Sequence, residues 1–227
     1  MKPIAYIKTD FGTKFGIPRQ SGLVPGLRGE IRFLPEYSRP EAFRGLDGFS
    51  HIWVIWEFSE AKREKWSPTV RPPRLGGNKR IGVFATRSPF RPNSIGLSCL
   101  KLEEITFENN IAVLKVWGID MMNGTPVFDI KPYIPGADCI PEATEGYTAE
   151  TKLHFLKVVF PEELKKMLPE EIIPPVEGIL ENDPRPSYIE DPERIYGIEF
   201  SGFDIKFTVK GSILTVREIC PLTREDS

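Results

Sequence analysis

Apolar and polar positions alternate along much of this chain with the two-residue period of β-strands. Residues 3–8 alternate in that way, and residues 30–34 repeat it with Ile31 and Phe33 on one face. The segment 40–46, opened by Pro40, reads as one turn of helix. Residues 51–58 (HIWVIWEF) form a near-continuous apolar run, as expected of a central strand covered on both sides. Residues 80–86 (RIGVFAT) predict another strand. Residues 95–107 and 111–118 flank Glu108-Asn109-Asn110, the signature of a hairpin. Two more strands are expected over 125–130 and 152–160. Strands this frequent, broken by glycine and proline turns, imply a closed or nearly closed β-barrel or a sandwich.

Beyond that point the texture changes. Residues 161–167 and 170–181 read as helices, the second interrupted by Pro174-Pro175, and a loop follows over 183–188. Residues 202–209 and 212–219 predict a terminal hairpin turning at Lys210-Gly211. Proline, glycine and alanine gather over 135–150, which sets the expected boundary. The predicted fold class is therefore mainly β: a β-barrel N-terminal domain over 1–140 with a small α+β C-terminal domain over 141–227.

Composition refines this picture. The 227 residues are 40% hydrophobic and 27% charged, enough to bury a core and stay soluble. The 22 prolines and 19 glycines favour turns and strands over a helical bundle. No stretch approaches the ~20 apolar residues of a membrane span. Met1-Lys2-Pro3 opens no signal-peptide pattern, so a cytoplasmic protein with no membrane partner is expected. Three cysteines without a C-x-x-C pair and two histidines make a disulfide framework or a metal site unexpected. The net charge of −2 conceals an asymmetry: residues 1–137 hold 20 Lys+Arg against 13 Asp+Glu, and residues 138–227 hold 10 against 19. From Trp66 to Leu102 there are seven basic residues and no acid, a composition that attracts polyanions. A solvated basic loop would look the same from charge alone.

The common nucleotide-binding motifs, G-x-G-x-x-G after a strand and G-x-x-x-x-G-K-[ST], are absent, which argues against a Rossmann-type site. What stands out is the density of Arg, Pro and Gly in three loops: 16–22, 71–78 continuing through 87–93, and 129–133. Proline pins the backbone and glycine permits close approach, so side chains between them can be held ready for a ligand. Asp129 reads either as an exposed partner of Lys131 or as a carboxylate that meets a ligand or takes a proton. His51 and His154 read as structural. Trp53, Trp56 and Trp66 could stack bases, although the first two alternate with core positions. Ser59 and Glu60 leave their strand into a loop and can face a pocket. Arg185 and Tyr188 suit phosphate or base contact.

The runs Pro18-Arg19-Gln20, Arg71-Pro72-Pro73-Arg74-Leu75-Gly76-Gly77-Asn78, Phe84-Ala85-Thr86-Arg87-Ser88-Pro89-Phe90-Arg91-Pro92-Asn93 and Asp129-Ile130-Lys131-Pro132-Tyr133 resemble the tRNA methyltransferase O family. Asp183-Pro184-Arg185-Pro186-Ser187-Tyr188 is similar to the second-domain signature of its longer members. The resemblance implies a non-Rossmann β-barrel methyltransferase that uses S-adenosylmethionine and acts as a homodimer. The implied substrate is threonylcarbamoyladenosine beside the tRNA anticodon, methylated on its exocyclic nitrogen. Carried over by motif, the cofactor site comprises Pro18, Arg19, Gln20, Ser59, Glu60, Arg87, Leu97, Asp129, Ile130, Lys131 and Pro132. Some relatives have His-Gln where this chain has Ser59-Glu60, and a backbone contact there would survive the exchange.

Methyl transfer from a sulfonium is an in-line displacement, so positioning matters most and no metal is required. The nitrogen to be methylated lies in a urea-like group, and a base that removes its proton would help. Asp129 and Tyr133 are the candidates. The basic residues Arg71, Arg74, Lys79, Arg80 and Arg91, with Arg185 and Tyr188, would hold tRNA. Two other readings share the same residues: an RNA-binding barrel without catalysis, and a methyltransferase acting on another substrate.

Overall fold

A computed structural model describes residues 1–61, 65–72, 79–149, 155–185 and 191–222. Six strands close a barrel: β1 (Ala5–Thr9), β2 (Arg28–Phe33), β3 (His51–Glu57), β6 (Ile95–Glu108), β7 (Ile111–Trp117) and β8 (Pro126–Pro132), in the order β1-β2-β7-β6-β3-β8. Every pairing in it is antiparallel, and β1 meets β8 to complete the ring. Between β3 and β6 stand the two-residue strands β4 (Thr69–Val70) and β5 (Ile81–Gly82), which pair with each other. The hairpin at Asn109-Asn110 forms as expected, with φ of 50° and 64°. Successive left-handed residues give a turn whose twist matches that of the strands, and asparagine tolerates that conformation well.

Alternation decides the barrel interior. In β3, Ile52, Val54 and Trp56 point inward and are buried, while Trp53 and Ile55 are half-covered on the outer surface. The run 51–58 is thus apolar on both faces but fully buried on one. Residues 80–86 form only β5 and a 3-10 turn over Val83–Ala85, because β4 offers just two residues to pair with. The helix expected from Pro40 is a pair of 3-10 turns, Pro40–Phe43 and Leu46–Gly48.

The C-terminal part holds a four-stranded sheet in the order β10-β11-β12-β9, built from β9 (Lys157–Val159), β10 (Tyr196–Phe200), β11 (Phe203–Lys210) and β12 (Ile213–Pro221). The strand expected over 152–160 is confined to β9; residues 150–154, His154 among them, lie outside the described residues. The short helices α1 (Pro135–Asp138) and α2 (Glu162–Lys165) precede α3 (Ile173–Glu181). Pro174 and Pro175 do not interrupt α3. They occupy its first turn, where the missing N–H groups have no partner to lose. The buried side chains of both parts form one continuous apolar cluster.

Candidate active site

The segment 10–27, between β1 and β2, joins the barrel to the C-terminal sheet and then returns to the barrel wall. Phe11 packs on Phe200 with ring centroids 5.1 Å apart, and Ser201 N–H donates to the Asp10 carbonyl at 3.3 Å. Gly16, at φ +84°, lies against Ile198. On the return, Cys99 N–H donates to Ser21 Oγ at 3.2 Å and Gly22 N–H to the Gly118 carbonyl at 2.9 Å. The segment is thereby stitched alongside β6. Pro18 is buried at this crossing, and Arg19 projects from it.

Pro18 and Arg19 form one wall of a cleft of about 1210 Å³. The segment 86–92 forms the facing wall, and Arg87 bridges the two by donating from Nη1 to Gln20 Oε1 at 3.3 Å. Arg91 Nη1 donates to the Thr86 carbonyl at 3.0 Å and holds that segment in shape. A third wall is the end of β3 and the turn after it, Glu57 through Ala61, which carries Ser59 and Glu60. The half-buried Phe58 gives an aromatic patch there, backed by the buried Trp56 at 4.1 Å between centroids. At the rim stand Arg71, Arg80 and Trp66. Arg80 Nη1 donates to Thr69 Oγ1 at 2.8 Å, and Trp66 neighbours Phe84 at 6.0 Å, both rings exposed.

Asp120 lines the same cleft beside Met121 and Met122. Trp56 Nε1–H donates to Ser98 Oγ at 2.9 Å, and the Ser98 hydroxyl donates to Asp120 Oδ1 at 2.6 Å. Gly96 makes this chain possible, since a Cβ there would collide with the Trp56 indole. Burial pushes the Asp120 carboxyl up to about 6; the bonds from Ser98 and from the backbone N–H groups of Asp120 and Ser21, and the charge of Arg87, act against that rise. Asp120 belongs to no motif in the sequence. The signal the sequence offers is a lone carboxylate between the apolar Ile119 and Met121.

The remaining expected residues lie elsewhere. Leu97 and Asp129 both pair with Ile55, so the three form one row across the outer barrel surface, two residues along β3 from Glu57. Leu97 is 57% exposed, and Asp129 meets Lys131 Nζ at 3.2 Å. Ile130 and Pro132 are half-buried on β8. The Tyr133 ring lies 5.7 Å from Trp53, and partial burial raises its phenol pKa. Of the residues expected to hold tRNA, Arg71, Arg80 and Arg91 line the cleft, and Lys79 is exposed. The Arg185 guanidinium, itself largely covered, is instead committed to the buried Asp183 at 2.8 Å, while the Arg185 carbonyl accepts from Arg19 Nη2 at 3.5 Å. Arg74 and Tyr188 lie outside the described residues. No helix among the described residues is long and apolar enough to cross a membrane.

Comparison with known proteins identifies the family. Residues 6–139 match the tRNA-methyltransferase O N-terminal domain, and residues 154–222 match the TrmO C-terminal domain. The chain is 40% identical over 214 residues to the tRNA (adenine(37)-N6)-methyltransferase of Escherichia coli, covering 91% of each chain. It is also 40% identical over 215 residues, 90% of each chain, to a Pseudomonas aeruginosa protein provisionally named as the S-adenosylmethionine-dependent methyltransferase RcsF. The crystal structure of TrmO from P. aeruginosa superposes with a TM-score of 0.76 at 34% identity, covering 96% of this chain and 95% of that one.

Proposed function

The chain belongs to the tRNA-methyltransferase O family, and on that premise we propose that it methylates the exocyclic nitrogen of threonylcarbamoyladenosine beside the anticodon of tRNA. It is an enzyme, and its methyl donor is S-adenosylmethionine. The observation that carries this reading is the cleft, which combines guanidinium groups, an aromatic surface and carboxylates within one enclosure. Those donors fit the cofactor. Arg19 and Arg87 suit its carboxylate, Glu57 and Glu60 suit its ammonium and ribose hydroxyls, and the half-buried Phe58 suits an adenine ring. When bound, S-adenosylmethionine supplies an electrophilic methyl group on a positively charged sulfur.

The chain's own residues then bind and orient. The Arg87–Gln20 bond ties the two loop walls together, so the ligand face has a defined width. The rim arginines attract phosphate, and the exposed Trp66 and Phe84 rings offer a stacking surface for a base lifted from the anticodon loop. The homodimer belongs to the same reading. Leu97 and Ile134, 57% and 49% exposed, are the kind of apolar surface that a second copy would cover.

The test pairs calorimetric titration of S-adenosylmethionine with transfer of a labelled methyl group to tRNA. Two tRNA pools are compared, one carrying threonylcarbamoyladenosine and one from cells unable to make it. Micromolar cofactor binding and labelling of the first pool alone is the expected result. Labelling of both pools equally would redirect the enzyme to another nucleoside, and absence of cofactor binding would leave an RNA-binding barrel.

A further inference from the structure

We infer that Asp120 is the base that takes the proton from the substrate nitrogen as it is methylated. This rests on the proposed function and assigns a role within the same cleft. The direction of the hydrogen bonds is fixed by chemistry. An indole N–H only donates, so Ser98 Oγ accepts from Trp56 and turns its own proton toward Asp120. A carboxylate offers about four acceptor positions. Ser98 takes one of them, at Oδ1. The carboxylate lines the cleft wall, where a substrate N–H can reach it.

Position and environment distinguish this carboxylate from Asp129. Asp129 stands on the outer barrel surface, 48% exposed and paired with Lys131. Asp120 stands between the aromatic patch backed by Trp56 and the guanidinium of Arg87, in the enclosure whose residues fit the methyl donor. The charged groups facing it are Arg87, which favours its ionised form, with Lys14, Arg19 and Arg91 on the loop walls and Glu57 and Glu60 at the end of β3. Burial makes Asp120 a stronger base than a solvated aspartate, and a urea-like nitrogen, whose lone pair is delocalised, demands one. In the step, the N–H proton passes to the Asp120 carboxylate, and the pair left on nitrogen forms the N–C bond to the methyl carbon. The pair of the former C–S bond stays on sulfur, so a cation and an anion become a neutral thioether and a neutral acid.

The experiment compares wild type, Asp120→Asn and Ser98→Ala in methyl transfer to tRNA carrying threonylcarbamoyladenosine, across pH 5–8. Asparagine keeps the acceptor for Ser98 and removes the base. Turnover is expected to fall by about 10²–10³-fold, with the rise in rate near pH 6 abolished. Affinity for S-adenosylmethionine, measured by calorimetry, is expected to stay within about threefold. Independently of activity, a carboxyl carbon resonance that titrates near pH 6 in wild type is expected to be missing from Asp120→Asn. Ser98→Ala removes a bond that favours the ionised form, so its rise in rate moves to higher pH. If Asp120→Asn fails to fold, the Ser98→Ala profile decides, and an unmoved profile overturns the role. Wild-type turnover in Asp120→Asn also overturns it, the more so if Asp129→Asn is inactive. Wild-type protein that binds the cofactor yet labels no tRNA would overturn the proposed function and this role together.

Discussion

At the scale of single residues, Arg87 and Asp120 respond to the same cleft in opposite ways. Arg87 is exposed and bridges to Gln20, so its removal costs little packing but opens the seam between the loop walls. Arg87→Ala is expected to weaken S-adenosylmethionine binding by about tenfold or more, with a melting temperature near that of wild type. Calorimetry and thermal unfolding check the two halves of that statement. Asp120 couples to stability instead. Its folded pKa, about 6, lies above the ordinary 3.8, so the stability it contributes is complete below pH ~4 and is lost as the pH rises through 6. Asp120→Asn has no such loss. Its stability relative to wild type should therefore rise between pH 4 and pH 7, by up to roughly 3 kcal/mol, in urea melts at the two pH values. Arg87 was visible in the sequence because it sits in an Arg/Pro-rich loop. Asp120 was not, because Ser21, Trp56 and Ser98, which surround it, are brought together only by three separate elements.

Among the elements, the β3–β6 pair carries the site. Trp56 faces Gly96 across the pairing, and its indole occupies the space that a side chain at Gly96 would need. Gly96→Ala must therefore displace the ring and break its bond to Ser98. We expect a loss of about 1–3 kcal/mol in chemical denaturation, with a shift in tryptophan emission as the indole leaves its buried position. The β6–β7 hairpin was fully readable, since Asn109-Asn110 has a local reason to turn. β10 has no strand signal in the sequence. Its five residues, YGIEF, are few and include a glycine, and they become a strand because β11 supplies the partner. Residues 80–86 show the converse: a strand-like pattern that stays mostly unpaired for want of a neighbour.

Across the whole molecule, charge and connectivity set the working face. The excess of base in residues 1–137 gathers in part at the cleft rim, where Arg71 and Arg80 stand. Arg80→Glu is expected to weaken tRNA binding and to make log K against log salt shallower by about 1–2, because fewer counterions are released. Equilibrium binding at several salt concentrations measures both. The C-terminal sheet contributes by another route: it anchors the segment 10–27 through Phe11, Gly16 and Asp10, and that segment carries Pro18, Arg19 and Gln20 to the cleft. The mainly β character of the chain, the places of its tight turns, the concentration of basic residues before residue 102 and the loops that hold arginine between prolines and glycines are all legible in the sequence. Those properties are local, written in the period of apolar positions and in residues with restricted backbones. Which loops share a cleft, that Leu97 and Asp129 stand on the outer surface, that Arg185 is committed to Asp183 and that Asp120 sits half-buried in the cleft wall follow only from the folded chain. Closing the barrel brings distant residues together, and desolvation, unlike periodicity, depends on every neighbour at once.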